Sequence, residues 1–157
     1  MKTMPNSSFK KKKGIIFQTK TNLVIDNFIK RFNQDVSKKG LTIIEDIGGV
    51  GIPVAELELV SFFKGNEKYV SGKTIFQRSQ KLGINLGQNQ VEYLLDNQKE
   101  IPNNWRKYYL VFPKTIWKDR SSMLYFLFLY WDSKSWRVNF KWFLHAWPSN
   151  TRLLRRK

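Results

Sequence analysis

The stretch that decides the fold is Leu124-Tyr125-Phe126-Leu127-Phe128-Leu129-Tyr130-Trp131, then Asp132-Ser133-Lys134-Ser135, then Trp136-Arg137-Val138-Asn139-Phe140-Lys141-Trp142-Phe143. The first segment is apolar on both of its faces, so it reads as a strand covered on both sides and central in a sheet. The four polar residues read as a hairpin loop. The third segment alternates Trp136, Val138, Phe140 and Trp142 against Arg137, Asn139 and Lys141, the period of a half-buried strand with a cationic face. Working backwards, Lys107 to Phe112 reads as a strand. Pro113-Lys114 reads as a turn, Thr115 to Lys118 as a short strand and Asp119 to Ser122 as another turn.

The N-terminal half has a different period. Behind an N-cap at Thr21-Asn22, Val24, Ile25, Phe28, Ile29, Phe32 and Val36 recur at helical spacing, and Lys38, Lys39 and Gly40 close the pattern. This predicts an amphipathic helix over about 22–39. Leu41 to Ile47 is short and branched, a strand. Gly48-Gly49-Val50-Gly51-Ile52-Pro53 is a turn, and Val54 to Phe63 alternates enough to be a second strand. Two short helices follow a loop at 64–70. Ser71 caps the first and Gly83 ends it. Asn85 caps the second, with Gln88 in the capping-box position, and Ile101-Pro102 stops it. The expected architecture is α+β: a long N-terminal helix and a helical hairpin packed on a mainly antiparallel, aromatic-rich sheet. The expected organisation is one domain over 15–147, with flexible basic tails at 1–14 and 148–157.

The chain has 157 residues with a net charge of +16 and no cysteine. Disulfide scaffolds, thiolate nucleophiles and Cys-ligated metals drop out. A single histidine, His145, leaves little room for a His-rich metal site. The longest apolar run, Met123 to Trp131, is well short of the roughly 20 residues of a membrane-spanning helix. The basic start lacks the apolar segment of a secretory signal, which implies a cytoplasmic protein. The charge is uneven. Residues 1–13 carry five lysines and no acid, and residues 148–157 carry four cations and no acid. Residues 14–104 have a net charge of only +1, whereas 105–147 carry +6 together with 15 of the 24 aromatic residues. The expected partner is therefore a polyanion.

Five arrangements bear on chemistry. The helical hairpin over 72–97 resembles a helix-turn-helix in its small Ser79 and its Gly83-Ile84 turn, but Asn89 and Glu92 stand where apolar residues belong. The second helix has acids and no cation, which suits a hairpin covering the sheet better than DNA reading. The Gly48–Gly51 turn lacks the Lys-Ser/Thr and helix of a phosphate loop. Glu45, Asp46, Glu56 and Glu58 fall on two strands expected to be neighbours and could hold Mg²⁺, but an acid two residues before a lysine is missing. His145 has no serine or acid pair nearby. Last, Arg106, Lys107, Lys118, Arg120, Arg137 and Lys141 accompany Trp117, Tyr125, Tyr130 and Trp131. Cations interleaved with rings suit single-stranded nucleic acid, whose bases stack and whose phosphates need neutralising; core rings and scattered solubilising charge are the ordinary alternative.

The run Gly83-Ile84-Asn85-Leu86-Gly87-Gln88, Glu92-Tyr93-Leu94-Leu95, Ile101-Pro102, Trp105-Arg106-Lys107-Tyr108-Tyr109-Leu110-Val111-Phe112-Pro113 and Thr115-Ile116-Trp117, with Leu129-Tyr130-Trp131 and Trp136, resembles the core of a group of short bacterial proteins to which no activity is attached. The resemblance spans about residues 71–155 and implies a bacterial intracellular protein with a shared small domain. The expected function is non-enzymatic binding of RNA or single-stranded DNA, or a ribonucleoprotein accessory role, without cofactor or metal. The residues expected to carry it are Lys10, Lys11, Lys12, Lys13, Arg106, Trp117, Lys118, Arg120, Trp131, Arg137, Lys141, Arg152, Arg155 and Arg156. The alternatives are a protein-interaction or homo-oligomeric module, with one face of strand 124–131 closed by a partner, and a metal-dependent nuclease using Glu45, Glu56 or Glu58.

Overall fold

The hairpin at 124–143 forms as its alternation predicts, and the rest of the sheet is built on it. The computed structural model describes residues 40–157; the helix expected over 22–39 and the segment 1–14 lie outside them. In chain order the elements are β1 (Thr42–Asp46), β2 (Leu57–Val60), β3 (Tyr69–Val70), α1 (Gly72–Lys81), α2 (Gln88–Asp96), β4 (Tyr109–Lys118), β5 (Leu124–Trp131), β6 (Trp136–Trp142), β7 (Trp147–Pro148) and β8 (Thr151–Arg156). The described residues are thus mixed α+β. Six strands form one sheet in the order β2-β8-β4-β5-β6, with β1 alongside the C-terminal part of β4, and β3 and β7 form a separate pair. All pairings are antiparallel except β4 with β8. No helix among the described residues is long and apolar enough to cross a membrane.

β5 lies between β4 and β6 and is covered on both faces. Phe126 packs on one face with Val111, Ile116, Leu153, Trp147, Ile75 of α1 and Ile84 of the connection between the helices. Leu127 and Leu129 point to the other face, where Leu110 and Phe112 stand opposite them across the ladder, and all four are within 1 % of full burial. Among the described residues, Phe126, Leu127 and Leu129 of β5 thus leave no open apolar face.

The segment 148–157, expected as a tail, is instead the strand that joins two halves of the sheet. β8 lies between β2 and β4, and Thr151, Leu153 and Leu154 are buried. Its arginines are accommodated because the ladder sets Arg155 opposite Glu58, next to the Arg156–Leu57 pair. Pro113-Lys114 is likewise no turn. β4 runs straight through it, with Phe112 opposite Leu127 and Ile116 opposite Phe126, so that Pro113, Lys114 and Thr115 are extruded as a bulge. Proline has no N–H to give the ladder, which makes a bulge its natural place inside a long strand. The expected strand over 54–63 is shorter than its alternation suggests. Val54–Glu56 is a 3₁₀ turn and only Leu57–Val60 pairs.

Both helices pack against β4. Ser71 caps α1, accepting the Thr74 N–H at 3.3 Å, and Gly83 follows its end with φ +68°. Asn85 does not cap α2. The N-cap is Gly87, which has no side chain to cap with. Asp46 of β1 reaches across instead: its Oδ1 accepts the Gln88 N–H at 3.1 Å and the Thr115 hydroxyl at 2.5 Å. The bulge thus delivers Thr115 to the start of α2, while Lys114 reaches the Phe76 ring of α1 at 5.7 Å.

Candidate nucleic-acid interface

One end of the sheet gathers cations onto rings. Directly paired residues share a face, so Leu110, Leu129 and Arg152 lie on one face, with Trp131 two residues beyond Leu129. Tyr108 immediately precedes β4. Arg106 is the C-cap of the 3₁₀ turn Asn103–Trp105, and its guanidinium carbon lies 3.7 Å from the Trp131 ring centroid. The Arg152 guanidinium lies 4.4 Å from the Tyr108 ring and the Lys107 ammonium 5.2 Å from the same ring. The backbone here is pinned: Tyr109 N–H donates to Asn150 C=O at 3.1 Å, and Asn150 Nδ2 donates to Lys107 C=O at 3.3 Å. Arg152 also donates to the Ser149 and Thr151 carbonyls.

These cations differ from four other arginines in what they meet. Arg78 pairs with Glu67, Arg137 with Asp132, Arg155 with Glu58 and Arg156 with Glu56, each at 2.6 or 2.7 Å. Arg106, Lys107 and Arg152 make no ion pair among the described residues; each faces a ring. A cation on a ring keeps its whole charge available to an incoming anion, whereas a carboxylate cancels it locally.

The expected binding residues separate accordingly. Arg106, Trp131 and Arg152 come together. Arg137 is at the same end, but its cross-strand partner is Tyr130, so it lies on the opposite face, and it donates to Asp132 at 2.7 Å. Asp132 accepts the Ser135 and Lys134 N–H groups as well, and these bonds, with Arg137, hold its carboxyl down at about 2. Lys141 is also on that opposite face, 5.0 Å over the Trp147 ring, and burial lowers its ammonium below the usual lysine value. Trp117 is fully buried, edge-on to Phe140 at 5.0 Å, and is a core ring rather than a stacking surface. Lys118 and Arg120 stand at the far end of β4, where the Arg120 chain lies against Gly40. Arg155 and Arg156 are in the β2–β8 ladder. Lys10, Lys11, Lys12 and Lys13 lie outside the described residues.

Tyr108 is the ring that sequence reasoning missed. The Tyr108-Tyr109 doublet reads as strand, yet Tyr108 precedes β4 and carries two cations. The remaining motifs are used structurally. Glu45 and Asp46 on β1 border β4, whereas Glu56 and Glu58 are beside β8, so the four carboxylates expected on neighbouring strands are not assembled. The Gly-rich loop is held to α2, with Asn89 donating to Gly49 C=O and the Gln90 amide bridging Ile52 N–H at 2.7 Å and C=O at 3.0 Å. α2 buries Gln88, Gln90, Val91 and Leu94 and presents no cation. His145 rests edge-on against Trp142 at 5.2 Å. Comparison of the chain with family models, curated proteins and solved structures returned no match.

Proposed function

We propose that the protein is a non-enzymatic nucleic-acid-binding or ribonucleoprotein accessory protein of the cytoplasm, with RNA or single-stranded DNA as ligand. The observation that supports this reading is the placement of Arg106, Lys107 and Arg152 on Trp131 and Tyr108 at one end of the sheet, each facing a ring where Arg78, Arg137, Arg155 and Arg156 meet carboxylates. Such a site offers charge to phosphates and planar groups to bases. Lys10 to Lys13 add to the field that draws the ligand in.

The test is an oligonucleotide titration at several salt concentrations. A single strand contacting three cations gives a log–log salt slope of about −2, close to a 20-fold loss of affinity between about 50 and 200 mM salt. Replacing Arg106, Lys107 and Arg152 together by alanine removes most of that slope. Replacing the exposed Lys64, Lys68 and Lys73 changes net charge equally and leaves more of it. Removing residues 1–13 lowers the slope without abolishing binding. Equal losses for the two triple variants would assign the effect to net charge alone.

A second reading, docking of a protein or a second copy, has one observation in its favour. Ile44, Ile47 and Val50 are 49 %, 47 % and 89 % exposed along β1 and the loop after it. A sedimentation experiment that finds only monomer removes the homo-oligomeric form of this reading.

A further inference from the structure

The Arg106–Trp131 contact has a geometry that ion pairing does not need. A guanidinium carbon 3.7 Å from a ring centroid is at van der Waals distance. An edge-on guanidinium would interpose its N–H groups and hold the carbon farther away, so the two planes lie face to face. Trp131 is half-buried and braced by Trp136, with ring centroids 6.1 Å apart at 66°. Trp136 is fixed in turn. It is 2 % exposed, and the Gln98 amide takes both its N–H (2.8 Å) and its C=O (3.0 Å), closing the edge of β6 there as a neighbouring strand would. Arg106 is exposed, and no acceptor among the described residues takes its N–H groups. The guanidinium is therefore a flat, weakly hydrated cation laid on a rigid ring with its outer face open.

We propose that this outer face is a platform on which one unpaired nucleobase stacks, making the ligand a single strand rather than a duplex. This rests on the nucleic-acid reading above and gives it a division of labour. Tyr108 is already occupied by Arg152 and Lys107, so that pair serves the backbone phosphates only, whereas Arg106 on Trp131 takes the base with its plane while its charge still counts towards the same phosphates. Guanidinium planes stack on bases as aromatic rings do. In a duplex both faces of each base are covered by its neighbours, and freeing one carries an unstacking penalty.

Arg106→Lys separates stacking from charge, because lysine keeps the charge and loses the plane. Fluorescence anisotropy would follow a labelled 12-nucleotide single strand, a fully abasic strand of the same length, a matched duplex and free adenosine monophosphate as competitor. The expected result is a roughly tenfold weaker single-strand affinity for R106K at unchanged salt slope, with duplex binding unaltered and the abasic strand weakened in the wild type but not further in R106K. R106A loses more affinity than R106K and lowers the slope as well, because it removes the charge together with the plane. If R106K binds like the wild type while R106A lowers the slope, Arg106 is a phosphate contact only; the platform is overturned and the nucleic-acid reading stands. Competition by the mononucleotide at oligonucleotide-like concentrations would replace the strand site with a free-nucleotide site. Absence of salt-dependent binding by the wild type would overturn both readings.

Discussion

Asp46→Ala should destabilise the domain through two elements at once. In the native protein one oxygen, Oδ1, accepts the Gln88 N–H at the start of α2 and the Thr115 hydroxyl in the β4 bulge. Losing an N-cap costs about 0.5–2 kcal/mol. Thr115 is fully buried, so its orphaned hydroxyl adds about 1–3 kcal/mol. Asp46 itself is exposed and water replaces part of what the N–H loses, so the expected total is about 2–3 kcal/mol, from the lower halves of those ranges. Thr115→Val removes the donor but leaves Asp46 in water, and should cost about 1 kcal/mol or less. The double variant leaves no buried orphan, so it should be less destabilised than the sum of the singles by about 1–2 kcal/mol. Asp46→Asn keeps an oxygen in place and should recover most of the loss. Urea unfolding monitored by tryptophan fluorescence measures all four variants; with an m-value of about 2 kcal/mol/M, D46A moves the midpoint by roughly 1 M. Strict additivity of D46A and T115V would refute the reasoning, since it would mean that Thr115 and the carboxylate do not share a bond.

Three further outcomes follow from other contacts of the fold. Removing residues 151–157 should abolish cooperative unfolding, and Leu153→Ala should cost about 2–5 kcal/mol, because Leu153 is fully buried in the sheet; an unchanged urea midpoint for either would return this segment to a tail. Glu67 is held at about 2, against an ordinary 4.5, by the Arg78 guanidinium first and the Lys64 N–H next. A depressed carboxyl contributes stability that is complete above about 4.5 and is lost as pH falls towards 2, so the stability gap between wild type and Glu67→Gln should close across that window, and a gap independent of pH would count against the pairing.

Local signals in the sequence were enough where the native contacts are local. The β5–β6 hairpin needs only alternation and a four-residue loop, and α1 is bounded by Ser71 and Gly83 within its own chain segment. The sequence misled where a distant residue supplies the missing group. Asn85 is a sound local cap for α2, but Asp46 does the capping from β1, and only tertiary structure brings it there. Pro113 breaks a ladder, and whether it does so as a turn or as a bulge depends on whether Phe112 and Ile116 meet adjacent residues of one strand, which they do. β8 gave the weakest signal: Leu153-Leu154 is a brief apolar pair among arginines, and its place beside β4 is a long-range parallel pairing with no hairpin to announce it.

The same locality limits what the charge could reveal. A count of cations treats Arg155 and Arg156 as tail charge and Arg137 and Lys141 as one cationic strand face. In the fold the first two stand against Glu58 and Glu56, Arg137 against Asp132, and Lys141 over the Trp147 ring on the face opposite Trp131. Exposed ion pairs of this kind add little stability, but each cancels a charge where a ligand would otherwise feel it. Among the described residues, Arg106, Lys107 and Arg152 are held on Trp131 and Tyr108 without a carboxylate partner, and they and their rings come from three chain segments: the 3₁₀ turn before β4, the end of β5 and the start of β8. Composition could show that cations and rings were abundant together; only the register of β8 on β4 and of β4 on β5 shows which of them share a face. The specific part of any nucleic-acid affinity should therefore scale with the occupancy of that one face, and the net charge of +16 should set the rate of encounter more than the choice of ligand.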